Sequence, residues 1–211
     1  MPTTPAARTT AALLALLTWA TLALRLYLSL ADALAKGLDL APVIIGYCSF
    51  FTILSNLLVA CVCTRIASTP DRSSPNLEAA TAVYIAVVGL GYSLLLRHIW
   101  NPQGLERVAD VLLHDLVPFL YVVYWLLFRR KRKPLPWSST LIWLIWPTIY
   151  FVYTMVRGSL TGIYAYHFLD PAPRGYAHVV KLGSILFVAF VILGLAAVAL
   201  TRRNPAQVVH P

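Results

Sequence analysis

Six apolar stretches decide what this chain can become: residues 11–34, 42–64, 79–97, 108–128, 138–156 and 177–201. Each is close to the ~20 residues that a helix needs to cross a hydrocarbon layer. A lipid interior offers no partner for backbone N–H and C=O groups, so such segments must close their own hydrogen bonds as helices. The period-two alternation of a membrane β-barrel is absent. Proline, glycine and charge punctuate the gaps at Lys36-Gly37, Pro70-Asp71-Arg72, Asn101-Pro102-Gln103-Gly104, Lys133-Pro134 and Asp170–Gly175. Short connections make successive helices antiparallel neighbours. The expected architecture is an all-α, polytopic membrane protein, a single domain over 1–211 built as a bundle of six transmembrane helices. The first stretch ends in Ala33-Leu34-Ala35, a small-residue pattern of the kind signal peptidases cut. Its length and its internal Arg25 mark it instead as a retained helix.

Composition closes the other routes. The chain is 59% apolar and 12% charged, against roughly 45–50% and about 25% for soluble domains. A soluble enzyme, a disordered chain and a disulfide-stapled secreted module are excluded; Cys48, Cys61 and Cys63 share one apolar run and form no disulfide framework. The net charge of +9 does not indicate nucleic-acid binding, because five of the 17 basic residues form the block Arg129–Lys133 between two apolar runs. Such a block reads as a cytoplasmic loop facing anionic lipid. With both termini cytoplasmic, the inner segments hold ten basic residues (Arg8, Arg65, Arg72, the block, Arg202, Arg203) and the outer ones six. The positive-inside bias favours that orientation.

An ionisable group at membrane depth costs at least ~2.5–3.5 kcal/mol, which makes each one a candidate site. The second stretch carries Ser49, Thr52, Ser55 and Asn56, and the spacing predicts Ser49, Thr52 and Asn56 on one helix face. The plain reading is hydroxyls bonded back to their own helix and an asparagine joining two helices. The fourth stretch carries Asp110, His114 and Asp115, then Pro118. Asp110 lies one turn before His114 and is placed to fix its tautomer, while Pro118 removes the hydrogen bond to the His114 carbonyl. A buried structural histidine is the competing reading. The fifth ends in Tyr150, Tyr153, Thr154 and Arg157, either an interfacial belt or a grip on a lipid carboxylate or phosphate. Arg25, with Thr18, Thr21 and Ser29, must face the bundle and find an acceptor.

Three strings carry a resemblance: Phe50-Phe51-Thr52-Ile53-Leu54-Ser55-Asn56, Leu112-Leu113-His114-Asp115-Leu116-Val117-Pro118-Phe119, and Tyr164-Ala165-Tyr166-His167-Phe168-Leu169-Asp170. Together they resemble the androgen-induced and androgen-dependent TFPI-regulating protein family. Trp100-Asn101-Pro102 and Arg157-Gly158 with Thr161-Gly162 resemble its bacterial six-span branch. The resemblance implies an intramembrane threonine hydrolase that cleaves lipid esters, in animal members fatty acid esters of hydroxy fatty acids. It implies Thr52 as nucleophile and His114 as base, with no cofactor, membrane lipids as surroundings and, for a bacterial chain, the inner (plasma) membrane. His167 departs from the family pattern, which has proline there. Asp110 as orienter, Asn56, Ser49 or a tyrosine such as Tyr153 as oxyanion donor, and Arg157 as carboxylate grip complete the expected site.

Three other functions compete. A small transporter fits six spans with buried polar groups, although no inverted repeat with paired broken helices is visible. A metal-dependent hydrolase would need ligands from His98, His114, His167 and His178, none of which share H-x-x-x-H spacing. No metal is expected. A non-catalytic scaffold would use the same polar residues only to hold helices together.

Overall fold

The computed structural model describes residues 4–69, 74–128 and 134–202. The basic block Arg129–Lys133, with Pro70, Asp71, Arg72 and Arg203, lies outside the described residues. Among those described there is no strand, and six helical segments are long and apolar enough to cross a membrane. The protein is a multi-pass membrane protein. Its elements are α1 (Pro5–Ala35), α2 (Leu40–Cys48), α3 (Phe51–Ser68), α4 (Pro75–Gly91), α5 (Gly104–Val111), α6 (Val117–Phe128), α7 (Ser139–Trp143), α8 (Ile145–Thr161) and α9 (Gly175–Arg202). Two π turns, Tyr92–Leu96 and Leu112–Leu116, extend α4 and join α5 to α6.

Side-chain size places the core. Ala11, Leu14, Val59, Val62, Cys63 and Ile66 close the seam between α1 and α3, and Ala79, Val83, Val117 and Tyr121 close that between α4 and α6. Large apolar side chains on the outside, such as Leu16, Leu94, Phe119 and Leu160, are exposed. In a membrane they meet acyl chains rather than water. One end of the bundle is tied by Arg8, whose guanidinium donates to the Ala67 carbonyl at 3.0 Å, and by Arg202, whose Nε donates to the Leu135 carbonyl at 3.0 Å. The hydroxyls of Thr18, Thr21 and Ser29 bond back to carbonyls one turn earlier.

The structure corrects the second span. Residues 42–64 are not one helix: α2 ends at Cys48, Phe50 is extended (φ −84°, ψ 129°), and α3 begins at Phe51. Ser49 therefore does not share a helix face with Thr52 and Asn56. Tyr150 makes the break possible, since its hydroxyl donates to the Ser49 carbonyl at 2.9 Å and accepts the Phe51 N–H at 3.2 Å. Two groups that a continuous helix would have satisfied internally are satisfied from α8 instead.

Prolines accompany two further irregularities, each with a partner for the carbonyl it orphans. Pro147 cannot donate to Trp143, and the Tyr84 hydroxyl donates to that carbonyl at 2.8 Å. In the fourth span the Val117 N–H reaches back to Leu112. Leu113 thereby loses Val117, and Pro118 has no N–H to replace it. Asn56 Nδ2 fills the vacancy, donating to the Leu113 carbonyl at 3.2 Å and to the Thr52 carbonyl at 2.9 Å. The π turn also brings the His114 carbonyl against Gly89, where an added Cβ would lie 3.1 Å from it.

A stability prediction follows. Asn56→Leu strands the Leu113 carbonyl beside a fully buried position. It also removes Asn56 Oδ1, itself buried without a partner, so the net cost falls at the low end of the ~1–3 kcal/mol range for an orphaned polar group. Ser55→Ala, which deletes a buried hydroxyl that has no partner among the described residues, is expected to be neutral or stabilising. Thermal unfolding in detergent distinguishes the two; equal losses would contradict the bonding assigned to Asn56.

Candidate functional site

The break before α3 puts Thr52 in the first turn of an 18-residue helix. First-turn N–H groups have no intrahelical partner and carry the positive end of the helix dipole. The Phe51 N–H is taken by Tyr150 and the Thr52 N–H donates to the Tyr166 hydroxyl at 3.2 Å. The N–H of Ile53 has no partner among the described residues. Thr52 Oγ1 lies 3.4 Å from the same Tyr166 hydroxyl. Because that hydroxyl accepts from the backbone, its own proton is free to point at Thr52 Oγ1. Burial pushes the Tyr166 phenol above its ordinary pKa, so it stays a neutral donor through neutral pH.

Tyr166 belongs to the segment between α8 and α9, and a turn and two contacts fasten that segment to the end of α8. Gly162 (φ +71°) ends α8 in a left-handed conformation that glycine alone adopts freely. Arg157 donates to the Ile163 carbonyl at 3.1 Å. Tyr164 sits on Gly158, where a Cβ would come within 2.1 Å of its ring. Tyr166 then stacks on Phe168 (centroids 5.1 Å apart) and meets Phe50 edge-on.

The imidazole of His114 is held on two sides. Its Nδ1 is 3.1 Å from Asp110 Oδ1 and 3.0 Å from the Asp110 carbonyl oxygen. With two acceptors at Nδ1, the neutral imidazole carries its proton there and has Nε2 as its acceptor nitrogen. The other carboxylate oxygen of Asp110 accepts from the Tyr92 hydroxyl. The Tyr92 ring stacks on His114, with centroids 4.0 Å apart and planes 14° from parallel. Tyr92 starts one π turn and His114 sits in the other. Arg97 lies over the Tyr92 ring and pairs with Asp115.

Thr52 and His114 line one cavity of about 490 Å³, together with Ile53, Tyr92, Asp110 and Tyr166. Its lining also includes charged residues. Arg25, half-buried, lies 3.7 Å from Glu106, and both face the cavity beside Ser29 and His167. The three strings singled out in the sequence, 50–56, 112–119 and 164–170, therefore all contribute to a single cavity.

The remaining expected residues are placed as follows. Asn56 is fully buried behind the site and fastens Thr52's helix to the His114 turn. Ser49 and Tyr153 pair with each other at 2.8 Å, Ser49 donating to Ile45, and neither lines the cavity. Arg157 anchors the segment above, and the cavity's guanidinium is Arg25. No three His, Cys, Asp or Glu side chains converge as a metal-binding group among the described residues. Sequence reasoning missed Tyr92 and Tyr166. Tyr166 lay inside a quoted string, whereas Tyr92 carried no signal beyond being a hydroxyl in an apolar run.

Comparison with family models, curated proteins and solved structures returned no match.

Proposed function

We propose that the protein is an intramembrane hydrolase of lipid esters, with Thr52 as nucleophile and His114 as general base. The observation that carries this reading is the shared cavity, which Thr52 and His114 both line. A threonine hydroxyl is a weak nucleophile until a base removes its proton. In this reading Nε2 of His114 takes that proton as Thr52 Oγ1 attacks the ester carbonyl. Asp110 stabilises the resulting imidazolium, and Tyr92 fixes the carboxylate. The oxyanion lies between the Tyr166 hydroxyl and the unpartnered Ile53 N–H, at the positive end of α3. Collapse breaks the carbonyl carbon–alkoxide bond, and the imidazolium returns the proton to the departing alcohol. A water molecule activated by the same imidazole then releases the acid from Thr52. Arg25 faces the polar end, where an anionic group on the substrate would rest. Both termini are assigned to the cytoplasmic side, which puts the site toward the opposite face of the membrane.

The test is turnover of a long-chain ester by the purified protein in detergent or nanodiscs, with the Thr52 and His114 variants described below as controls. Tyr166→Phe supplies a finer prediction. It removes one of two oxyanion donors and is expected to lower kcat about 10²–10³-fold with little change in KM. A matched rise in KM with unchanged kcat would place Tyr166 in substrate binding instead.

A further inference from the structure

Thr52 borders a second cavity. It has a volume of about 430 Å³ between α4, α8 and α9, and its lining includes Val87, Val88, Phe151, Val180 and Phe187. Thr52, Tyr92, Leu96 and Tyr166 line both cavities, so the two spaces adjoin at these residues. Their chemistry divides there. Arg25, Glu106, Asp110 and His114 all lie on one side, while the other side has no charged residue in its lining. The back of this second space is closed by Val87 and Val88, 7% and 6% exposed, whereas Val180 and Val188 on α9 are 60% and 53% exposed. It therefore opens sideways, where a membrane places acyl chains. Phe168 and Leu169 line it from the segment above. Gly183 lets Phe151 approach α9, since a Cβ there would stand 3.1 Å from the ring.

We infer that this second cavity is an acyl-chain slot. It holds one hydrocarbon chain of the substrate, entering between α8 and α9, with its carbonyl at Thr52 and the polar remainder in the other cavity. The inference rests on the hydrolase reading and adds to it which part of the ester lies where. A chain moving from lipid into an apolar slot gains almost nothing from desolvation, because acyl tails are already as apolar as leucine. The slot therefore acts through shape. It sorts chains by packing and holds the carbonyl in line with Oγ1, an effect on orientation more than on affinity.

Two measurements test it. First, the Thr52→Ala protein is irradiated with a C16 acyl ester carrying a mid-chain diazirine, and adducts are mapped by mass spectrometry. Adducts on Val88, Val180 and Phe187 are expected. Adducts confined to the polar cavity, or spread evenly over outer residues such as Leu13 and Phe119, overturn the slot. Second, Val180→Phe and Ser184→Phe fill the slot from its open side, where the fold tolerates bulk. Each is expected to lower kcat/KM for a C16 ester about tenfold relative to a C4 ester. An unchanged ratio with turnover intact removes the slot and leaves the hydrolase reading standing. Slot adducts without turnover of any ester do the reverse.

Discussion

Thr52→Ala and His114→Ala are each expected to lower ester turnover by on the order of 10⁶-fold, the loss that follows removal of the nucleophile or the base of a hydrolytic triad. Combining them should cost little more than either alone, because a base without a nucleophile has nothing to activate. Thr52→Ser, which keeps the hydroxyl, should retain turnover. Stability should not account for the loss at Thr52, whose side chain has a single 3.4 Å contact to Tyr166 as its hydrogen-bonding role. His114→Ala is different: it unstacks Tyr92 and leaves Asp110 without its imidazole partner. His114→Gln therefore accompanies it, since an amide refills part of the space and donates to the carboxylate without acting as a base. Elution volume and thermal midpoint report whether each variant is folded. Full turnover by folded Thr52→Ala would sink the mechanism.

The bundle was legible because lipid imposes one rule on every crossing segment, and a run of apolar residues suffices to state it. The i, i+4 relation of Asp110 and His114 was legible for a similar reason, as helix geometry alone sets it. The break at Ser49–Phe50 was not. Nothing local marks it, since the residues from Gly46 to Phe51 contain no proline and the two unsatisfied backbone groups are met by Tyr150, about a hundred residues away. Thr52 could be singled out from sequence, but its position in the first turn of a helix depended on that distant hydroxyl. Tyr92 and the partner of Arg25 were obscured by the same logic. Tyr92 matters because a π turn rotates it onto His114, and Arg25 because Glu106 approaches from another segment. Arg157 had the stronger sequence pattern for a headgroup grip, yet it is spent on the Ile163 carbonyl, which holds Tyr166 in place above Thr52.

Asp110→Asn probes the other half of the pair and is expected to lower kcat about 10²–10³-fold while leaving KM nearly unchanged. In serine hydrolases the corresponding change costs about 10⁴, chiefly because the amide forces the wrong histidine tautomer. Here the geometry predicts a smaller loss. Nδ1 of His114 also faces the Asp110 carbonyl oxygen at 3.0 Å, an acceptor that no side-chain substitution removes, so the proton stays on Nδ1 and Nε2 keeps its lone pair. The asparagine oxygen can turn toward Nδ1, and its NH₂ group then faces the Tyr92 hydroxyl, which accepts as well as donates. What disappears is the negative charge beside the imidazolium formed during attack, worth several kcal/mol only where water is scarce. Asp110 is 9% exposed, so that condition is met. Tyr92→Phe in the asparagine background removes the acceptor for the amide and should deepen the loss, whereas Tyr92→Phe alone costs only about 0.5–1.5 kcal/mol, the net value of one hydrogen bond. A 10⁴-fold fall for Asp110→Asn would mean that the backbone carbonyl does not hold the tautomer. An unchanged kcat would mean that His114 gathers no charge in the reaction, and a neutral imidazole throughout is incompatible with its acting as the base for Thr52.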